Sequence, residues 1–301
     1  MRNNTLVLQI PGMNSYFTGM LLVTAATLAW SSAGLFTRMI PLDSWTLLLW
    51  RGVFGAVALA LISFSLERKK SVIEFLSLGR SGWIFAIVSA VGMVLFITAL
   101  THTSVAHVSI VYATVPLVTA VLAWLILRER PTKDAIAASV AAVVGVGVMV
   151  GVTGEGSLQG DLLALGMTVC LAIMMIITRL APDIPLLPSA AISALLSAAI
   201  AFPLSQSYAI EPSQWLLLIL FGVVNSALGL SLFILGARLL PSVETALITA
   251  LDAPLAPILV WLVFNETPGL ATLIGGSIVF IAVGMYLKNT AYRTLKSNTG
   301  N

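Results

Sequence analysis

The sequence predicts an all-α integral membrane protein of ten transmembrane helices, arranged as two inverted five-helix repeats. Three observations support this: the composition, ten long apolar stretches and an internal repeat. Charged residues make up 9% and hydrophobic residues 59% of the 301 residues, and the mean hydropathy is +1.04. A soluble domain must cover itself with polar groups, so lipid is the solvent for most of this chain. Because lipid offers no partner to backbone N–H and C=O groups, the spanning segments must be helices.

The apolar stretches define the helices in order. A bilayer core of about 30 Å needs roughly 20 helical residues. Ten stretches approach this length, near residues 16–37, 44–65, 82–100, 105–127, 135–152, 162–178, 188–205, 215–237, 242–264 and 270–287.

The basic residues predict the orientation. With ten spans, the N-terminus, the even-numbered connections and the C-terminus share one side of the membrane. Thirteen basic residues fall there: Arg2, Arg68, Lys69, Lys70, Arg80, Arg128, Arg130, Lys133, Arg179, Arg238, Lys288, Arg293 and Lys296. The other side carries only Arg38, and Arg51 lies inside a span. Because basic residues concentrate in cytoplasmic loops, we expect both termini in the cytoplasm. No basic patch with interleaved aromatic residues suggests nucleic acid as a partner.

The second half of the chain repeats the first. The segment GMLLVTAATLAWSSAGLFTRMIP, which begins at Gly19, aligns without a gap with GDLLALGMTVCLAIMMIITRLAP, which begins at Gly160. An ordered series of matches follows, with one single-residue slip: Val105 with Val243, Pro116 with Pro254, Glu129 with Glu266, Pro131 with Pro268 and Gly147 with Gly284. Because each unit has five spans, the second unit must enter the membrane from the opposite side. Such inverted repeats recur in secondary transporters, whose binding sites lie near the midplane between the halves.

This repeat divides the chain into five segments. We expect a cytoplasmic N-terminal segment at 1–15, a first repeat at 16–152, an extracytoplasmic linker at 153–160, a second repeat at 161–287 and a cytoplasmic tail at 288–301.

Each half ends with a proline, a Glu-x-Pro turn about a dozen residues later and a glycine-rich helix. The first copy is SVAHVSIVYATVPLVTAVLAWLILRERP and the second is PSVETALITALDAPLAPILVWLVFNETP. Two such copies on ten spans resemble the EamA-type branch of the drug/metabolite transporter superfamily, over roughly residues 16 to 288. The resemblance implies an exporter of small metabolites with a central cavity between the halves, similar to bacterial exporters of aromatic amino acids. It also implies a location in a bacterial inner membrane. The alternatives are another metabolite or drug, such as a nucleoside or a cationic compound, and proton-coupled antiport instead of facilitated export.

Asp252 is the sharpest candidate for substrate binding. It lies near the middle of the ninth span, where an acidic side chain exposed to lipid costs at least about 2.5 kcal/mol. Thr245 and Thr249 share its helix face, and Pro254 and Pro257 free nearby carbonyls from helix bonding. This group is suited to bind a proton, a cation or a substrate ammonium. The alternative is a structural buried pair.

Arg51 is the expected partner of Asp252. Its depth in the second span is about 10 Å at helical rise, within a few ångströms of the depth of Asp252. Its planar guanidinium group is also suited to bind a substrate carboxylate through two hydrogen bonds. The alternative is snorkelling to the outer headgroups. Our hypothesis is that the two residues pair in the empty protein and receive the carboxylate and ammonium of an amino acid.

Three further mid-span residues are candidates for substrate binding: Asn225, Trp30 and Ser31. A buried amide in lipid usually bonds to a neighbouring helix, so packing is the alternative for Asn225 and for Ser31. A tryptophan in mid-span lies outside the interfacial belt. It is expected either to stack on an apolar ligand or to fill a gap.

The remaining candidates are prolines that kink helices and titratable residues that could couple transport to protons. Pro116 frees the carbonyl of Tyr112, a further candidate for substrate binding, and matched kinks at Pro116 and Pro254 suit a rocking gate. His107, near the outer mouth, and Glu244, near the cytoplasmic mouth, are candidates for proton coupling alongside Asp252. The alternative for His107 is a histidine at the membrane interface whose hydrogen bonds are satisfied. The alternative for Glu244 is a carboxylate exposed to water.

No arrangement of residues predicts an enzyme, a metal site or a cofactor. The expected partners are a small-molecule substrate and the lipid bilayer. Gly147 and Gly151 form a small-xxx-small face, which we interpret as helix packing. The sequence does not predict the oligomeric state.

Overall fold

Ten helices in the part of the chain that the structure describes are long and apolar enough to cross a bilayer. The structure, a computed structural model, describes residues 15–103, 105–151, 157–206, 210–265 and 267–299. We number the membrane helices in chain order: α1 Ser15–Met39, α2 Ser44–Ser65, α3 Gly79–His102, α4 His107–Leu127, α5 Lys133–Val150, α6 Leu158–Leu180, α7 Leu187–Leu204, α8 Pro212–Ala237, α9 Ser242–Phe264 and α10 Leu270–Ala291. No strand occurs among these described residues. The predicted all-α fold with ten spans is confirmed.

The spans begin and end within a few residues of the predicted bounds, with two exceptions. The helix containing α2 runs on from Ser44 to Leu76, and the helix containing α10 runs on from Leu270 to Thr299. The apolar pattern predicts where lipid ends, whereas a helix continues into water as long as its residues favour helix. The predicted segment 1–15, apart from Ser15, and residues 153–156 of the linker lie outside the described residues, as does Glu266. The segment boundaries stay predictions.

The helices pack in pairs that a twofold exchange of the two halves reproduces. Helix α2 packs on α7, and α5 packs on α10, each a pair of equivalent helices. The α3–α6 contact has its equivalent in α8–α1, and the α2–α8 contact has its equivalent in α7–α3. Because each half contains five spanning helices, this exchange turns one half upside down relative to the other. The fold is therefore two inverted five-helix repeats.

Residue size separates the lipid-facing surface from the helix interfaces. Large aliphatic side chains point outward, among them Leu21, Leu61, Leu125 and Leu262. The interfaces instead contain many alanines, glycines, serines and threonines. Lipid exerts no penalty on exposed leucine, so association depends on close backbone approach, which small residues allow.

Helices α5 and α10 lie close together at Gly145 and Gly275. A methyl carbon at Gly145 would lie 2.8 Å from the carbonyl oxygen of Gly275. Gly147 and Gly151, which the sequence suggested as a packing face, have open space around them. That expectation was wrong, because the rotation of α5 turns Gly145 and not Gly147 toward α10.

Three spans are broken in mid-membrane. Helix α9 consists of Ser242–Thr249 and Asp252–Phe264, and α4 breaks at Thr114 between Val105–Ala113 and Val115–Leu122. In α4 and α9 a proline, Pro116 or Pro254, follows the break. Its ring clashes with the carbonyl group four residues earlier, and it has no N–H group to donate to that carbonyl. Helix α1 breaks at Ser32 without a proline, where the Ser32 hydroxyl donates to the carbonyl of Ala29 at 2.6 Å. Such back-bonding bends helices.

Helices α4 and α9 end in the same unusual conformation. Arg128 has φ 57° and Asn265 has φ 54°, both in the left-handed region. They are equivalent positions, since each precedes the glutamate of a Glu-x-Pro turn. Asparagine tolerates this conformation far better than arginine does. The backbone is thus repeated even where the residue type is not.

Replacing Arg128 with asparagine is expected to stabilise the protein. The change relieves a left-handed penalty that reaches about 1–2 kcal/mol for an ordinary residue, so we expect a gain of about 1 kcal/mol in unfolding free energy. Thermal unfolding in detergent measures it. Arg130→Asn removes the same charge two residues away and serves as control. An equal shift in both variants would contradict the explanation.

Candidate functional site

A serine and a carboxylate meet where two broken helices cross. Ser31 is the last residue before the break of α1, and Asp252 begins the second part of α9. The Ser31 hydroxyl donates to Asp252 Oδ1 at 2.6 Å. The partial positive charge at a helix N-terminus favours a carboxylate there. Each break thus creates a polar position that a continuous apolar helix would lack.

The Ser31 hydroxyl has a second acceptor. It lies 2.8 Å from the carbonyl oxygen of Thr27, and a hydroxyl has only one proton to donate. Ser31 can therefore donate to an ionised Asp252, or accept from a protonated Asp252 while donating to Thr27. The contact accommodates both protonation states.

An arginine and an amide form the second polar pair. Arg51 Nη1 on α2 donates to Asn225 Oδ1 on α8 at 2.9 Å. The Arg51 guanidinium also lies 5.6 Å from the ring centre of Phe221, within the range of a cation–π contact. Its Nε is buried and has no hydrogen-bond partner. Arg51 is oriented by these contacts and retains donor capacity.

A π-helix positions Asn225. Residues Gly222–Leu228 form this segment between two α-helical parts of α8. Its wider turn shifts the helix face, a distortion frequent at functional sites. Asn225 Nδ2 consequently reaches the carbonyl oxygens of Ala29 and Trp30 on α1, each at 3.3 Å.

Helix α1 joins the two pairs into one network. Its residues 29–31 bind Asn225 on one side and Asp252 on the other. The expected ion pair between Arg51 and Asp252 is therefore wrong for this structure. Each charged group has a neutral partner instead, because α1 supplies the intervening polar groups. The two charges are held separately.

Aromatic side chains lie beside this network. The Trp30 ring lies 5.0 Å from that of Phe233, tilted by 40°, and a methyl carbon at Gly229 would lie 2.5 Å from Trp30 Nε1. Tyr112 on α4 lies close enough to Asp252 for an electrostatic interaction. Both aromatic residues are partly exposed. The Trp30 side chain packs against Gly229 in the space that a larger residue would occupy, and Trp30 remains partly exposed.

Some predicted residues lie elsewhere. Thr245 and Thr249 are fully buried, and their hydroxyls bond back to the carbonyls of Pro241 and Ala246. Their shared face with Asp252 ends at the break of α9, so the helical spacing used in the prediction does not apply across it. Pro257 lies inside the continuous helix Asp252–Phe264.

The two candidates for coupling other than Asp252 occupy opposite ends of the bundle. His107 Nδ1 lies 3.2 Å from Asp161 Oδ1 near the starts of α4 and α6. Glu244 accepts a hydrogen bond from Tyr286 near the start of α9. Neither belongs to the central network.

Two residues at these contacts, Phe221 and Asp161, were not predicted from the sequence. Phe221 lies four residues before Asn225 on α8, a spacing that shares one helix face and that could have suggested it. Asp161 lies in the first turn of α6, on the same predicted side of the membrane as His107. No group of three or more His, Cys, Asp or Glu side chains suited to a metal occurs in the described ranges.

The arrangement can bind a molecule that carries both charges. Arg51 offers donors to a carboxylate, Asp252 offers oxygens to an ammonium, and aromatic rings lie alongside. Arg51, Asp252, Trp30 and Tyr112 are each partly exposed although they contact neighbouring helices.

The sequence model of the EamA-like transporter family matches this chain twice, at residues 17–151 and 158–288. No curated protein matches it significantly. Among 29 matching chains of solved structures, one described as "Crystal structure of protein" superposes with a TM-score of 0.80. That superposition covers 92% of this chain and 99% of the other, at 16% identity. A likeness at this identity shows the shared fold.

Proposed function

Because this chain belongs to the EamA-like transporter family, whose members are membrane transporters and not enzymes, we propose that it exports amino acids, aromatic ones included. Transport is by alternating access between the two repeats. The family assigns the chain to the drug/metabolite transporter superfamily and makes it a membrane transporter of small molecules. The proposal adds the cargo and the mechanism.

The observation that supports this cargo is the separation of Arg51 from Asp252 by residues of α1. Ser31 holds Asp252 and Asn225 holds Arg51, so both charges are oriented before a ligand arrives. An α-amino acid carries a carboxylate and an ammonium on one carbon, and it can replace both neutral partners at once. Trp30 and Tyr112 then lie beside its side chain.

The broken helices support the mechanism. The breaks in α1, α4 and α9 divide each helix into two shorter parts. Short helical parts joined by a residue or two can change angle without unfolding. A substrate that pulls Asp252 away from Ser31 acts directly on the breaks of α1 and α9, which links occupancy to gate movement.

A panel of labelled substrates in proteoliposomes tests the cargo. We expect uptake of phenylalanine and tryptophan and weak uptake of nucleosides and cationic compounds. Transport of a nucleoside or a cationic drug without any transport of aromatic amino acids would replace the cargo by one of those classes.

Facilitated export is the simpler mechanism, and proton antiport with Asp252 as the proton carrier is the alternative. Ser31 accommodates Asp252 in both protonation states, so this contact does not favour either one. A pH jump across the liposome membrane separates them, since efflux by a facilitator is not driven by the proton gradient.

We further propose a bacterial inner-membrane location with both termini in the cytoplasm. The thirteen basic residues on one predicted side support this orientation of the termini. Tags placed within residues 66–80 should be protected from outside in intact cells, and tags within 153–160 should be accessible. Protection of both segments would contradict the inverted arrangement.

A further inference from the structure

A second buried polar cluster lies at the predicted cytoplasmic end, away from the substrate network. Glu244, near the start of α9, is only 5% exposed. Tyr286 on α10 donates to its Oε1 at 3.3 Å, and Tyr16 on α1 lies close enough to interact electrostatically with the same carboxyl group. Apolar side chains close around the contact, among them Ile248 and Leu287. Three helices from both halves of the chain thus meet over one carboxyl group.

Among the residues that the structure describes, none forms an ion pair with this carboxyl group. Its Oε2 is buried without a hydrogen-bond partner. Of the basic residues on neighbouring helices, Arg179 of α6 pairs with Glu129 at 3.7 Å, and Arg238 after α8 donates to the carbonyl of Ile184.

The other described residues around Glu244 do not offer it a positive charge. Lys133 of α5 and Lys288 of α10 are exposed, and the part of α4 that packs here, Val115–Leu122, contains no titratable residue. Within the described part of the chain, the titratable groups that interact with Glu244 are the two phenols, Tyr16 and Tyr286. A buried carboxylate without a cation is costly, and taking up a proton removes that cost.

Two of the three helices around Glu244, α1 and α9, break in mid-membrane. Tyr16 belongs to the part of α1 before its break, and Glu244 to the part of α9 before its break. Movement of either part away from the other would expose Glu244 to water, where the ionised form is stable. The burial of this group therefore depends on whether the end is closed.

The opposite end has an equivalent contact with different chemistry. The repeat pairs α4 with α9 and α6 with α1, and at the outer end α4 meets α6 through His107 and Asp161. Those two side chains are 25% and 34% exposed. Equivalent helix starts thus meet at both ends of the molecule, but only the contact at Glu244 buries a carboxyl group without a cation.

We propose that Glu244 is a proton-binding site in a cytoplasmic gate formed by α1, α9 and α10. The closed gate holds Glu244 protonated, and opening toward the cytoplasm releases that proton. Because Glu244 exchanges its proton on the cytoplasmic side alone, cytoplasmic pH sets the balance between open and closed gates. This inference rests on the alternating access of the proposed function and not on its cargo.

Distances between spin labels on the full-length protein in lipid nanodiscs test the gate. The labels are placed by Ser15→Cys and Asn289→Cys, at exposed positions on the predicted cytoplasmic ends of α1 and α10, in a Cys170→Ala background. In the wild type, the ratio of open to closed molecules should rise with pH. Release of one proton on opening limits this rise to roughly tenfold per pH unit. Glu244→Gln keeps an acceptor for Tyr286 but cannot ionise, so its ratio should stay constant between about pH 5 and about pH 9.

Two variants keep the result interpretable. Tyr286→Phe removes a hydrogen bond but leaves the carboxyl group, so its pH dependence should persist with a shifted midpoint. Asp183→Asn removes an exposed carboxylate at the same predicted end of the protein and should retain the wild-type pH dependence. A ratio independent of pH in the wild type, or the same pH dependence in Glu244→Gln, would overturn the proposal. Since no substrate is added, an incorrect cargo leaves this result unaffected.

Discussion

Asp252→Asn is expected to reduce the affinity for phenylalanine by at least roughly 30-fold, which corresponds to about 2 kcal/mol or more. The asparagine retains an oxygen that accepts the hydrogen bond of Ser31, so the fold should be preserved. What is lost is the negative charge that would face the substrate ammonium in a partly buried site. The measurement is binding and uptake in proteoliposomes.

Substrate analogues that lack one of the two charges separate the role of Asp252 from that of Arg51. 3-Phenylpropionate lacks the ammonium and phenethylamine lacks the carboxylate. If Asp252 binds the ammonium, Asp252→Asn should bind phenylalanine no better than it binds 3-phenylpropionate. If Arg51 binds the carboxylate, Arg51→Gln should bind phenylalanine no better than it binds phenethylamine.

Ser31→Ala is the matched control. It removes the neutral partner of Asp252 but leaves both charges, so it should keep the preference for phenylalanine over both truncated analogues. Full discrimination between these ligands in Asp252→Asn would show that Asp252 does not contact the substrate. Equal loss for all ligands in every variant would indicate a structural role instead.

Gly275→Ala is expected to destabilise the protein by about 1–3 kcal/mol, the usual penalty for forcing a group into a filled interface. The added methyl carbon would lie 2.6 Å from the amide nitrogen of Met149 and closer still to the carbonyl oxygen of Gly145. These are backbone atoms of α5, which cannot rotate away as a flexible side chain can. Helices α5 and α10 would have to separate along their length.

Gly284→Ala, on the same helix, provides the comparison. A methyl group there meets no atom within 4 Å, and the alanine favours helix by up to about 1 kcal/mol over glycine. We therefore expect a small gain in thermal stability for Gly284→Ala and a clear loss for Gly275→Ala. Equal behaviour of the two variants would show that the α5–α10 contact is looser than the structure has it.

The sequence identified several members of the central network because polar residues are conspicuous in apolar runs. Asp252, Arg51, Asn225 and Ser31 stood out for this reason, and all four take part in the network. Their partners were less predictable. The pairing of Arg51 with Asn225 depends on the π-helix of α8, which no proline marks and which the apolar periodicity does not reveal.

The sequence also did not show which side of each helix packs against its neighbours. Gly145 and Gly147 both lie on α5 two residues apart, and composition treats them alike. The structure places Gly145 against α10 and leaves Gly147 in open space. The breaks of α4 and α9 were expected from Pro116 and Pro254, but the break of α1 at Ser32 was not.

By itself, the sequence determined the number of helices, their approximate bounds and the inverted repeat. These follow from local causes: an apolar run of sufficient length must be helical in lipid, because its backbone has no other partner. The tertiary structure alone decided which polar groups meet and which glycines touch. Those contacts depend on the rotation and tilt of each helix against its neighbours, which are set by the packing of the whole bundle.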